Sequence, residues 1–520
     1  MSKRGAQERP ELSHPSIKRA KEIDANVPLA VLEKALKSHT SSADTKTVLF
    51  WFRTDLRLED NKGLLKAYEK CKFEGTPLIC CYLWSPGDLE WHGDSPARID
   101  FMLQNLEILH KQLLELDIPL VILTAGHRSE VVSTVADFIK ENGVSHLFAN
   151  LEYEYDELSR DTKLLNAIPN VVVEMVHDTT AVVPGSVHGG TGPMKVFTPY
   201  HKQWLQLLAK EPSLLSLFDR PGKSPKKAPD SLFKLELPSI PEGKSFKNDN
   251  EKKLIHKLWP AGYEAAEKRL QSFLSKKVTV YADTRSNPAK DSSSRLSPYF
   301  SNGVLSVRKA LSEARKKGFD DPGVASWVRE IAFREFYRQR IVIVPHNAMN
   351  LPHNLRFDNV KWNENDEVWH KWKQGKTGYP FVDAGMRQLN TEAWMHNRLR
   401  MNTASFLRTN LLLDYRRGET YFANHLIDWD LANNTQGWEP SYTVFNPIVQ
   451  AEKNDAHGDY IRRWVPELKD VLGKAIFMPY DRLSKPEFDK LGYPEPCVDF
   501  QKTKAEAVAR FKQDLHEFDT

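Results

Sequence analysis

Reactive side chains concentrate between Trp394 and Gly437, in WMHNRLRMNTASFLRTNLLLDYRRGETYFANHLIDWDLANNTQG. Asn397, Arg398 and Arg400 gather donors at one end. Asp428 and Asp430 flank Trp429 at the other, with Asn433 and Asn434 following. Phe406, Leu407, Leu411, Leu412 and Leu413 form an apolar helical span between them. A basic end joined to an acidic end through such a span predicts a deep site where the charges meet, because charge removed from water needs a partner. A helix pair with one buried salt bridge has the same composition. A second cluster, YADTRSNPAKDSSSRLSPYFSNGVLSVR, sets Ser293, Ser294 and Ser297 near a helix start beside Arg285 and Arg295. Hydroxyls, backbone N–H groups and guanidinium there suit a phosphate or pyrophosphate; a serine N-cap is the plain alternative. In a third, SWVREIAFREFYRQR, Arg329, Arg334, Arg338 and Arg340 alternate with Trp327, Phe333, Phe336 and Tyr337. That pattern suits a nucleic-acid backbone with an unstacked base, or a helix with a solvated basic face.

The elements that must position these residues fall into two kinds. From Thr47 short apolar runs recur at 48–52, 77–84, 119–125, 145–153 and 171–178, with helical patterns between them. They predict a parallel five-stranded sheet covered on both faces, a Rossmann-like α/β domain over 47–178. Ligands of such sheets sit beyond the strands' carboxyl ends. No G-x-G-x-x-G follows the first strand; the polar loop FRTDLRLEDN does, and Arg53, Asp55 and Arg57 there read as a salt-bridged turn. Residues 179–247, rich in Pro, Gly, Ser and Lys, predict a connector with one helical island at 198–210. Helical periodicity rules 248–520, the second domain. Residues 1–46 read as a polar basic leader without fixed structure. Its pairs Lys3-Arg4 and Lys18-Arg19 suit a nuclear address, while Glu8, Glu11 and Glu22 weigh against a mitochondrial one.

Composition narrows the class. Apolar residues at 40%, charged residues at 27% and a net charge of +4 are those of a globular chain without a strong overall field. No apolar run approaches the roughly 18 residues of a membrane span. Cys71, Cys80, Cys81 and Cys497 form no C-x-x-C pair, which argues against zinc and a disulfide framework.

FWFRTDLRLEDN, SRLSPYFSNGVLS, REFYR, GKTGYPFVDAGMRQL, WMHNRLRMNTASFL and YIRRWVPEL together resemble the cryptochrome/photolyase family. The match, over roughly 47 to 515, is nearest its class I cyclobutane pyrimidine dimer photolyases of fungal type. The resemblance implies an α/β antenna domain and an all-helical domain holding FAD. Tyr281 and the run Ser293, Ser294, Arg295, Leu296 and Ser297 would bind FAD. Arg400 and Asp428 would pair beside the isoalloxazine, with Trp429 and Asp430 close by and Asn434 facing flavin N5. Arg285, Trp327, Arg334, Asn397, Arg398 and Gln450 would meet UV-damaged DNA. Glu330, Asn397 and Met401 would address the lesion, and Trp362, Tyr415 and Trp438 would pass electrons to the flavin. The implied chemistry is light-driven electron transfer to a flipped-out dimer by a monomeric protein off the membrane. Asp156 and Glu157 fall where the family contacts a folate, which implies 5,10-methenyltetrahydrofolate as antenna.

This sequence departs from the family pattern at several points. Trp438 is followed directly by EPSYTVFNP, without the longer aromatic-rich segment of the family. Phe333 stands where a Trp usually stacks on the dimer, Tyr415 replaces the middle Trp of the electron-transfer chain, and Trp429 replaces a Gly. Base–aromatic stacking is worth about 1–3 kcal/mol per base, so the changes weaken lesion binding. They keep two alternatives open: a cryptochrome-type blue-light photoreceptor, and a DNA-binding member that has lost repair. The compartment implied is the nucleus, with the mitochondrion as the other candidate.

Overall fold

Central strand Thr47–Phe52 (β1) shows how this sequence becomes a three-layer domain. Its side chains alternate between faces, as any strand's must. Val48, Phe50 and Phe52 enter one core with Leu64, Ala67, Phe101 and Leu106, while Leu49 and Trp51 enter another with Val135, Phe138, Leu158 and Leu164. Both faces are apolar because both are covered. The computed structural model describes residues 12–39, 44–190 and 192–519. In it β1 joins Leu78–Trp84 (β2), Leu120–Thr124 (β3), Val144–Asn150 (β4) and Val172–Val176 (β5) in a parallel sheet of order β3-β2-β1-β4-β5. Phe50 lies in register with Cys80 and Phe148. These are the five expected strands.

The loop after β1 is a salt-bridged turn, as its composition suggested, and it ties the halves of the chain together. Arg53 pairs with Asp161 at 2.6 Å. Arg57 pairs with Asp178, which also takes Arg308 at 2.6 Å, and Asp60 accepts from Arg308 and from the Ser306 hydroxyl. All are buried. Beyond Asp249 every regular element among the described residues is helical. The first core continues through Trp259, Leu311, Trp327 and Trp394, so one hydrophobic mass spans both halves.

Two segments are more ordered than their composition implied. The expected leader holds helices Ile17–Ala25 and Pro28–Ser38, because Ala20, Ile23, Leu29 and Leu32 reach the interior while the remaining polar residues face water. His39 meets the Val171 carbonyl at 2.7 Å, and Asp24 meets His346 at 2.6 Å. Lys3-Arg4 lies outside the described residues. The connector carries helix Phe197–Lys210, and buried Glu335 accepts from Trp204 Nε1 (2.6 Å) and from the Ala181 N–H (2.5 Å).

Candidate active site

The two charged ends meet as the sequence implied. Arg400 donates to both Asp428 oxygens at 3.0 and 2.8 Å, and its Nε donates to the Met395 carbonyl at 2.9 Å. Asp428 is buried at 3% side-chain exposure, but Arg400 keeps 24%, so the pair borders a cleft. Arg400 sits on helix Asn397–Ser405, capped by His396, whose ring nitrogen accepts from the Arg398 N–H. Burial, with Arg398 and Arg400 adding to it, pushes His396 down to about 3, which keeps that acceptor neutral. The helix then widens into a π-turn, Phe406–Asn410, a distortion frequent at functional sites.

One helix carries two faces. Asn397 and Met401, four residues apart, are exposed on the outside, while Arg400 turns inward to Asp428. Beside the outer face Arg285 pairs with Glu330, and Arg398 donates to Ser286 Oγ at 3.0 Å. Burial raises the Glu330 carboxyl above its ordinary range against the lowering charges of Arg285 and Arg329. These residues make a half-buried polar rim. Gln450 is half-buried on helix Pro447–Asn454.

The serine run forms a turn before helix Ser297–Ser301. Arg295 takes a left-handed conformation (φ 50°), an uncommon state for a residue with a Cβ. The Arg295 guanidinium lies 4.8 Å from the Trp394 ring, and Ser297 Oγ accepts from Trp394 Nε1 at 3.2 Å. Leu296 is buried at 1% exposure and anchors the turn. Ser293 and Ser294 are half-buried, and no side-chain hydrogen bond engages either hydroxyl among the described residues. Tyr281 is nearly buried against the edge of Phe273. Free hydroxyls, a turn of backbone donors and a cleft-lining Arg–Asp pair fit a flavin dinucleotide, phosphates at the turn and ring beside the pair. Asn434 lies on helix Leu431–Trp438, where its amide nitrogen donates to the Glu419 carbonyl at 3.0 Å; its oxygen is left as the available acceptor.

Trp429 and Asp430 turn away from Arg400. They line a cavity of about 170 Å³ between the sheet's carboxyl ends and the helices, with Trp84, Arg98, Glu154 and Glu157. The Arg98 guanidinium lies 5.1 Å from the Trp429 ring. Asp430 pairs with Arg338 and caps its own helix through the Asn433 N–H. Burial opposes its charge, yet Arg338 and Arg334 hold it down to about 2. Glu157 Oε2, His92 Nε2 and Arg338 NH1 are buried without a hydrogen-bond partner. Asp156, its neighbour, is taken up by Arg128 at 2.6 Å.

Two expected DNA contacts are corrected. Trp327 is 3% exposed and packs 5.1 Å from Phe273, so its ring has no open face. Arg334 donates inward to the carbonyls of Thr179 and Phe300, bracing connector against helix. Both sit on the inner side of helix Pro322–Ile343, whose ring–charge alternation resembles a binding stripe but serves its core. Phe333 stacks on Phe197 with ring centroids 3.4 Å apart. Arg338, read from the sequence as part of a basic–aromatic stripe, pairs instead with Asp430 at the cavity, and His396 is a site residue that the sequence reading did not name. Only His396's place just before an Asn-Arg helix start hinted at a cap.

Of the expected electron chain, Trp362 and Tyr415 are in contact at 6.1 Å. Trp438 is buried and meets Trp372 at 6.1 Å and Phe422 at 4.9 Å. Gly418 permits this: a Cβ there would lie 2.3 Å from the Trp438 ring.

Known proteins share this architecture. A family model described as the FAD binding domain of DNA photolyase matches residues 327–513, and one described as DNA photolyase matches 48–217. A deoxyribodipyrimidine photo-lyase of Neurospora crassa is 40% identical over 505 residues, covering 90% of this chain and 82% of the relative. One of Escherichia coli is 36% identical, with 90% and 98% covered. The crystal structure of a bacterial class III photolyase from Agrobacterium tumefaciens superimposes with a TM-score of 0.78 at 29% identity, covering 91% of this chain and 99% of that one.

Proposed function

This chain belongs to the cryptochrome/photolyase family, and from that premise we propose that it is a deoxyribodipyrimidine photo-lyase, a light-driven enzyme that splits cyclobutane pyrimidine dimers in DNA. One observation carries the reading: helix Asn397–Ser405 presents Asn397 and Met401 outward while Arg400 holds Asp428 inward. A single rigid element thus addresses lesion and cofactor at once. FAD, once bound and reduced, supplies the photoexcited electron that opens the cyclobutane ring. The protein's part is orientation and exclusion of water. Arg400 and Asp428 would hold the flavin edge, Asn434 would offer its amide oxygen to a protonated N5, and the Ser293–Ser297 turn with Tyr281 would take the phosphates and adenosine side. Glu330, raised by burial, donates a hydrogen bond to a base when protonated. Arg285 and Arg398 meet DNA phosphates flanking the flipped dimer.

The antenna belongs in the inter-domain cavity. Three of its lining residues, Glu157, His92 and Arg338, each carry a buried polar atom without a hydrogen-bond partner, and Trp429 adds an aromatic wall. A folate such as 5,10-methenyltetrahydrofolate, with a flat ring and amide donors, suits Glu157 and Trp429. The division that follows is an antenna domain over 47–178, a connector over 179–247 and a catalytic domain over 248–520. The protein acts as a monomer in the nucleus.

A second reading, a family member that senses light or binds DNA without repair, draws on Phe333, whose ring is occupied by Phe197 rather than open to a base. One preparation tests both. The flavin is reduced chemically, DNA carrying thymine dimers is added, and thymine absorbance is followed under blue light and in the dark. The chromophores are then released and identified by mass. Light-dependent recovery with FAD and a folate present is the expected result. Reduced FAD without recovery would transfer the case to the second reading.

A further inference from the structure

We propose that Trp438, Trp372 and Trp369 form a second electron relay, from protein surface to flavin, with Trp369 as its end. The proposal rests on the photolyase reading and adds residues that reading does not use. Trp438 lies one helical turn beyond Asn434. Its ring contacts among the described residues are Trp372, at 6.1 Å and 70°, and Phe422. Trp372, fully buried, stacks on Trp369 at 5.4 Å and 14°. The three rings therefore run without interruption from the flavin-facing helix to a half-buried residue at the protein's rim.

The route through Tyr415 is obstructed by comparison. Tyr415 contacts Trp362, but no ring contact joins it to Trp438. Its hydroxyl is buried without a partner, and burial raises its pKa well above the ordinary value. A phenol gives up an electron readily only when its proton can leave, and here no acceptor takes it. Trp362 shares the difficulty, since its indole N–H is buried without a partner. Trp369 is not sealed in this way. Arg417 and Lys373 lie 4.5 and 5.3 Å from its ring centre and repel a positive charge there. That repulsion expels the indole proton once the ring is oxidised, leaving a neutral radical. Asp366 holds Arg417 in place at 3.0 Å.

Electrons and protons balance as follows. Trp438 gives one electron to the photoexcited oxidised flavin. Trp372 refills Trp438, and Trp369 refills Trp372. Oxidised Trp369 releases its indole proton to water. An added thiol then returns one electron and one proton to the neutral Trp369 radical and ends as disulfide.

The test uses holoprotein with oxidised flavin, flashed in the presence of a nitrosoalkane spin trap. Adducts are mapped by peptide mass, and transient absorption identifies the radical. The expected result is a neutral tryptophan radical with the adduct on Trp369. Trp369→Phe loses both adduct and most stable flavin reduction, while Tyr415→Phe keeps them. An adduct on Trp362, a tyrosyl radical, or unaltered flavin reduction in Trp369→Phe would overturn the relay. Trp372→Phe breaks the middle ring. Because Trp372 also donates to the Thr403 carbonyl in the core, the rim variant Trp369→Phe decides the case if Trp372→Phe does not fold. Repair by chemically reduced wild-type protein is assayed separately. Failure there retires the photolyase reading and leaves the radical assignment standing.

Discussion

Replacing Asp428 by Ala removes the anion that pairs with Arg400 at the proposed flavin site. Two charge-assisted hydrogen bonds are lost, at 3.0 and 2.8 Å. Truncating one partner of a fully buried pair costs roughly 3–5 kcal/mol. Arg400 is not fully buried, however: it keeps 24% exposure and its Nε bond to Met395. Water therefore recovers part of the loss, and about 2–3 kcal/mol is the better figure, near that for hydrogen bonds to charged groups. If that energy is expressed in cofactor binding, affinity falls roughly 30- to 150-fold. The assay is a fluorescence titration of apoprotein with FAD, alongside the flavin-to-protein ratio after purification. Asp428→Asn retains the shape and one acceptor, so it should fall between wild type and Ala. Native-like thermal unfolding of the apoprotein with unchanged FAD affinity in Asp428→Ala would refute the placement of this pair at the flavin.

Two further predictions test the rim and the interior. Arg398→Ala should weaken binding to damaged DNA and lower the slope of log K against log salt by about 0.9, the value for one lost phosphate contact; an unaltered slope rejects that role. Glu419, one turn beyond Tyr415, is raised by burial from 4.5 to about 7, although the Thr435 side chain and Arg416 oppose the shift. The folded state holds this proton more tightly than the unfolded state. Stability it contributes is therefore complete below pH 4.5 and lost as pH rises through about 7, a change of order 3 kcal/mol. Denaturant midpoints across that window should show the decline in wild type and a flatter profile in Glu419→Gln; identical profiles would remove Glu419 as its source.

Much of this was legible in the sequence because it depends on local pattern. Five apolar runs between helical patterns suffice for a parallel sheet, and each appears as a strand. That a basic end meets an acidic end followed from the apolar span between them, whereas the choice of Arg400 and Asp428 as partners came from the family resemblance. What composition cannot reveal is sidedness. Ile17–Ala25 looked disordered because only Ala20 and Ile23 are buried, too few to stand out against Lys18, Arg19 and Lys21. Trp327 and Arg334 looked like a nucleic-acid stripe because basic–aromatic alternation is identical whether a helix faces solvent or its own core.

The sharpest case is the tripeptide Asp428-Trp429-Asp430. Read as a string, it is one acidic cluster beside one flavin. In the folded chain Asp428 reaches Arg400, while Trp429 and Asp430 enter the inter-domain cavity with Arg98 and Arg338. The residue between the two acids is therefore the shortest covalent link between the cofactor cleft and the proposed antenna cavity. A Gly there could impose no orientation on either. The Trp429 ring instead meets Arg98 at 5.1 Å and His92 at 5.9 Å. What looked in the sequence like a bulky intrusion at the flavin is, in space, part of the wall of the second cavity, one residue along the chain from Asp428.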